Sequence, residues 1–356
     1  MIRSLLAMLL MLSAVVPAAA RGGAPTAPYP LHMVRSHPHA DLVYPSAAGR
    51  FLVYTERGRQ GFSVVRVPLD APDGEGLVLR ADWLHGAIRR GVALADGSIG
   101  YVANNLGPIS AWQRRADSDL HRLIANGGSF VGGLTPIHLA AAADGSLWAL
   151  DSYLNRERRS RFLDTFANAN VHMELLGQNW RVYWSDADHW KVGYQATETG
   201  VRNKFDHPAL FLFRRGAPMT MIRNAFDPAI SADGRRVVFV RELHGNFDLW
   251  MQRLDDGMLV RLTRNRYGDF EPAISPDGRR IAFVSNRASR GDVRRTAIFV
   301  LDLADGTITQ VTSSRRATDG GPTWRDGRTI LFHSNRDPRR PQRGTVDRWS
   351  LWEVTL

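Results

Sequence analysis

No cysteine occurs in the 356 residues. That excludes disulfides, thiolate metal centres and the cysteine-linked lipid anchor of exported lipoproteins. Lysine is nearly as scarce: Lys191 and Lys204 are the only two, so arginine carries almost all of a net charge of +11. No G-x-S-x-G, H-E-x-x-H or EF-hand pattern is present, which removes the signatures of a hydrolase nucleophile elbow, a zinc peptidase and a calcium hand. The apolar run from Leu5 to Val16 is shorter than the roughly 20 residues a membrane span needs.

What is there begins with that same run. Arg3 precedes it and Ala18, Ala19 and Ala20 follow it, the layout of a cleavable export leader. The expected organisation is a signal peptide over residues 1–20, a linker over 21–30 and a single domain over 31–356, with no transmembrane anchor after cleavage. The expected location is the periplasm or the exterior, and the expected state a monomer. A surface this basic attracts polyanions. An anionic polysaccharide or an envelope protein is therefore the expected partner, and export excludes nucleic acid.

The chain repeats. "FDPAISADGRRVVFV" at residues 226 to 240 returns as "FEPAISPDGRRIAFV" at 270 to 284. One unit reads as four short strands. "PAIS" is apolar, Asp233-Gly234 is a turn, "VVFV" is β-branched and aromatic, "DLWMQRL" alternates, and Asp255-Asp256-Gly257 turns into "MLVRLT". Strand-forming units of about 40 to 45 residues are propeller blades. Turn glycines at Gly49, Gly97, Gly145, Gly234, Gly278 and Gly327, with Asp188-His189 filling the double gap, give seven markers. The expected fold is an all-β propeller of seven blades, or six if the third and fourth units form one elaborated blade.

These repeats resemble those of the TolB-like periplasmic propellers, most strongly over residues 225 to 335. The resemblance implies the propeller and the compartment. The amino-terminal domain that precedes the TolB propeller has no counterpart in the short segment before residue 41, so the Tol role itself is not implied. Peptidases of the prolyl oligopeptidase group join similar repeats to an α/β-hydrolase, and the missing nucleophile elbow sets this chain apart from them.

Chemistry in a propeller sits at the central channel. Counting seven residues back from each turn glycine makes Arg90, His138, Val182, Asp227 and Glu271 equivalent, with Asp41 and Asp319 close to the same position. Such a side chain either bonds the backbone of a neighbouring blade or binds a ligand. Asp41, Asp227, Glu271 and Asp319 are hard oxygen donors that would suit Ca²⁺, and His138 would suit another divalent metal. The pair in "HPHAD" reads as a loop. Trp180, Trp184 and Trp190 read as core residues, or else as a sugar-stacking platform.

Two functional classes follow. One is a non-catalytic binding or scaffold module for a protein or an anionic envelope polymer. The other is a carbohydrate lyase or hydrolase using Asp227, Glu271 and His138 as acid, base or metal ligands. The lack of a catalytic signature favours the first. The last unit also lacks a fourth strand, because "RWSLWEVTL" aligns with the third strand of the complete unit. Residues 31 to 36, "LHMVRS", have the composition and placement to supply it.

Overall fold

The motif S-x-D-G-R-R acquires its meaning in three dimensions. In both clear copies the serine hydroxyl donates to the aspartate, Ser231 to Asp233 and Ser275 to Asp277 at 2.6 Å. Each serine Oγ also accepts the amide of the second arginine, at 2.9 Å from Arg236 and from Arg280. Each aspartate takes the amide of the first arginine at 3.0 Å. Gly234 and Gly278 occupy the left-handed region, at φ 67° and 68°, where only glycine is unstrained. The second arginine then leaves its own blade. Arg236 donates to the carbonyl of Gly278 at 2.9 Å, and Arg280 to that of Gly327, so each turn is tied to the turn of the next blade.

The computed structural model describes residues 29–58, 61–80, 87–104, 109–125, 138–141, 147–150, 209–212, 220–223, 225–244, 246–313, 316–342 and 344–356. The strands in chain order are β1 (Leu31–Arg35), β2 (Asp41–Ala48), β3 (Phe51–Gly58), β4 (Gly61–Pro68), β5 (Leu77–Arg80), β6 (Ala87–Ala93), β7 (Ile99–Asn104), β8 (Ile109–Arg114), β9 (His121–Ala125), β10 (His138–Ala141), β11 (Leu147–Leu150) and β12 (Ala209–Leu212). They continue as β13 (Thr220–Arg223), β14 (Phe226–Ile230), β15 (Arg236–Leu243), β16 (Asn246–Arg253), β17 (Leu259–Arg261), β18 (Asp269–Ile274), β19 (Arg280–Ser285), β20 (Ala297–Asp302), β21 (Ile308–Gln310), β22 (Asp319–Trp324), β23 (Thr329–Arg336) and β24 (Thr345–Thr355). Among the described residues no helix is long and apolar enough to cross a membrane.

Four antiparallel blades follow chain order: β2–β5, β6–β9, β14–β17 and β18–β21. The fifth has the order β1-β24-β23-β22. The amino-terminal strand is thus the outer strand of the carboxy-terminal blade, pairing Leu31 with Val354, His32 with Glu353 and Met33 with Trp352. The expectation of seven blades, with six as the alternative, is corrected to five four-stranded blades among the described residues. The unit around Gly145 gives only the hairpin β10–β11 among the described residues, and the segment before Phe226 gives only the hairpin β12–β13. An even spacing of D-G turns counts hairpins, and a hairpin becomes a blade only with two further strands. Val182, Asp188-His189 and the three tryptophans of the fourth unit lie outside the described residues.

The core lies between blades rather than within them. Phe270, Phe283, Phe299, Phe332 and Trp352 are buried where the carboxy-terminal blades stack, and Phe239 is buried with Ile222, Ala225 and Ile230. Between β2–β5 and β6–β9 the packing is so close that a Cβ on Gly91 would stand 2.4 Å from Val64 Cγ1.

The turn aspartates give the fold an acid sensitivity. The serine hydroxyl first, and the arginine amide second, hold Asp233 and Asp277 below the usual carboxylate range. A carboxylate whose folded-state pKa is depressed stabilises the fold fully above its unfolded pKa of about 4. It loses that contribution as pH falls through the depressed value. Because both carboxylates face solvent, screening reduces the effect. The expected result is that a Ser231→Ala/Ser275→Ala variant loses less stability than wild type on acidification below about pH 4, measured by urea titration at stepped pH. Equal acid sensitivity would remove the turns as its source.

Candidate functional site

The inner strands of the five blades line a cavity of about 440 Å³. Each inner strand is bulged where it faces the axis, and the ladder register shifts between Val43 and Ser46, Ile88 and Gly91, Phe226 and Ala229, Phe270 and Ala273, and Gly320 and Thr323. In four blades the bulge is a residue at positive φ followed by proline: Tyr44 at 54°, Asp227 at 56°, Glu271 at 45° and Gly321 at 55°. Proline is tolerated there because an inner edge strand at a bulge needs no ladder donor. Three of the four positions carry side chains that resist this conformation, at roughly 1–3 kcal/mol each.

What holds them is a belt of bonds that runs from the β14–β17 blade through the β18–β21, carboxy-terminal and β2–β5 blades to β6–β9. Asp227 accepts the amide of Glu271 at 2.7 Å, and Glu271 accepts the amide of Gly321. Gly321 has no side chain to continue the series, and an ideal Cβ on it would lie 2.6 Å from the His333 ring. His333, buried on the neighbouring strand β23, takes over: its Nδ1 accepts the amide of Tyr44 at 3.2 Å. The Tyr44 and His333 rings meet edge-on at 5.1 Å. Ser46 then accepts the amide of Ala93 at 3.0 Å, carrying the belt into the second blade. Gly321→Ala is therefore expected to lose about 1–3 kcal/mol. Adding His333→Ala should not add its full separate cost, which a double-mutant cycle of thermal melts will show. Strict additivity would separate Gly321 from His333.

The six sequence-derived candidates fall into different places. Asp227 and Glu271 line the cavity. Asp41 and Asp319 start their strands two to three residues earlier and carry ion pairs, a partly buried one with Arg57 at 3.0 Å through its Nε and a fully buried one with Arg336. Asp269, which the glycine count missed, belongs with them through Arg287 at 2.8 Å. Arg90 lies in the β6 bulge and His138 opens β10 opposite Leu150. The side chains of both lie outside the described residues. Among the described residues no three His, Asp or Glu side chains gather as a metal-binding group.

The proline after each bulge was the signal that separates the two acidic sets. Asp269 and Asp319 each stand three residues before Pro272 and Pro322, and Asp41 stands four before Pro45, whereas Asp227 and Glu271 adjoin their prolines. Counting from the turn glycine blurred this, because the loop after β22 has four residues where those after β14 and β18 have five.

No family model matches the chain and no curated protein does. Among solved structures it is similar to a protein described as TolB from Agrobacterium tumefaciens, at 14% identity and TM-score 0.51 over 91% of this chain and 93% of that one. It is also similar to oligogalacturonate lyase from Vibrio parahaemolyticus, at 10% identity and TM-score 0.51 over 92% and 93%. TolB from Acinetobacter baumannii matches at 13% identity and TM-score 0.49 over 82% of this chain, which spans 59% of its length. At these identities the likeness to the first two establishes the β-propeller fold and nothing finer.

Proposed function

We propose that the chain is a non-catalytic binding or scaffold module of the periplasm, engaging an envelope protein or an anionic envelope polymer. The observation that carries this reading is the belt. Asp227 and Glu271, which line the cavity, are hydrogen-bonded to the backbone of the following blade, and the other acidic candidates, Asp41 and Asp319, are in ion pairs with arginines. Around them the cavity wall is small and largely uncharged, with Ser46, Ala47, Ala48, Ala93, Ala229 and Ala273. The leader-like residues 1–20 and the propeller fold shared with TolB proteins support the compartment.

The second reading is a glycan lyase or hydrolase in the channel. It draws on the placement of Asp227 and Glu271 at the cavity and on the fold shared with oligogalacturonate lyase. Asp227→Asn and Glu271→Gln separate the two, since an amide oxygen still accepts the belt bond while the carboxylate chemistry is gone. The expected result with oligogalacturonate is no turnover by wild type or either variant. Turnover by wild type that both variants lose, with unchanged melting temperature, would establish the enzyme.

A further inference from the structure

A meander of antiparallel strands sends its connecting loops alternately to the two ends of the propeller. In the three carboxy-terminal blades the described loop residues 262–268, 286–296, 311–313, 316–318, 337–342 and 344 share one end, and those at 231–235, 254–258, 275–279, 303–307 and 325–328 share the other. The first set contains nine arginines and two aspartates, the second four arginines and six aspartates. Within these three blades the positive charge is concentrated at the end where the inner strands begin.

That end is one continuous surface. Gly268 donates to the side chain of Asn286 at 2.9 Å, Thr318 to the carbonyl of Arg294, and Ser313 to Gln342 at 3.2 Å, so the four loops are stitched to one another. Arg264, Arg266, Arg290, Arg294, Arg339 and Arg340 are all exposed on it. Its two aspartates are engaged locally, Asp292 with Arg295 at 2.6 Å and Asp337 with the amide of Arg339 at 2.9 Å. A planar guanidinium presents paired donors that match a carboxylate, and several on one face engage a chain of carboxylates where a single charge would not. Such a surface also concentrates a polyanion before contact.

We infer that this loop face of the three carboxy-terminal blades is the docking surface for a carboxylate-bearing polysaccharide, which names the partner within the binding role proposed above and rests on that reading. The probe is fluorescein-labelled alginate oligosaccharide, followed by anisotropy with the full chain at low and physiological salt. The variant Arg290→Gln/Arg294→Gln/Arg339→Gln/Arg340→Gln is expected to weaken binding at least tenfold and to flatten its salt dependence. Arg235→Gln/Arg279→Gln/Arg328→Gln, on the opposite end, is expected to stay within about twofold. Equal losses in the two variants would overturn the assignment by showing a general charge effect. So would neutral dextran binding as well as alginate, or an oligodeoxynucleotide of matched charge binding more tightly. Shortening of the alginate during the assay would overturn the non-catalytic reading alone, leaving the surface assignment to the variants.

Discussion

Deleting residues 29–36 is expected to unfold the propeller or to lower its melting temperature by more than any single substitution. β1 is a small strand with a large share of the closure. Tyr29, Leu31 and Met33 pack on the core of the carboxy-terminal blades, while Val34 belongs to the cluster with Leu42, Tyr54, Leu331 and Leu351 that joins the last blade to the first. Arg35 lies over the Tyr54 ring at 5.6 Å and donates to the carbonyl of Pro72. Four apolar side chains at about 1.5 kcal/mol each, partly discounted for incomplete burial, amount to roughly 5 kcal/mol, comparable to the whole stability of many domains. The deletion also bares the edge of β24, a template for association. Deleting residues 21–26 is the control. Thermal melts with light scattering should show early unfolding and aggregation for the first truncation only, and equal curves would sink the closure role.

The second large effect is expected at Arg336. Its side chain is 0% exposed, as is that of its partner Asp319. The guanidinium lies between the Phe332 and Trp352 rings at 5.5 and 5.6 Å. Asp319 also accepts the hydroxyls of Thr312 and Ser334, each at 2.6 Å. Arg336→Met leaves a buried carboxylate without its cation, which costs roughly 3–5 kcal/mol. Arg336→Met/Asp319→Asn should recover part of that loss. The equivalent pairs are more open, with Arg287 14% and Arg57 26% exposed. The expected order of destabilisation is therefore Arg336→Met, then Arg287→Met, then Arg57→Met, and a denaturant series that reverses it would contradict burial as the deciding quantity.

Much of the fold was legible in the residues. D-G turns and β-branched runs give the hairpins, and the incomplete last unit gives the closing strand, because these are local patterns with local causes. The blade count was not legible, since turn spacing carries no information on which strands pair at long range. The site was half legible. An acidic residue at the inner strand is visible in the sequence of four blades, but only the bulge, set by proline and positive φ, decides whether the carboxylate meets an arginine, as at Asp319, or the next blade, as at Glu271. His333 carries no pattern at all. It completes the belt because Gly321 leaves room for its ring. The division of charge between the two ends became readable only once the strands had assigned each loop to an end.

The most direct measurement is amide hydrogen exchange at Glu271, Gly321 and Tyr44. If the axial side chains serve to lock blade to blade, Glu271→Ala should speed exchange at the Gly321 amide by roughly ten- to a hundredfold, the worth of a lost buried hydrogen bond. Glu271→Gln should leave that amide protected, and Asp227→Ala should expose the amide of Glu271 in the same way. Unchanged protection of Gly321 in Glu271→Ala would contradict the belt and return both carboxylates to the reacting centre of an enzyme.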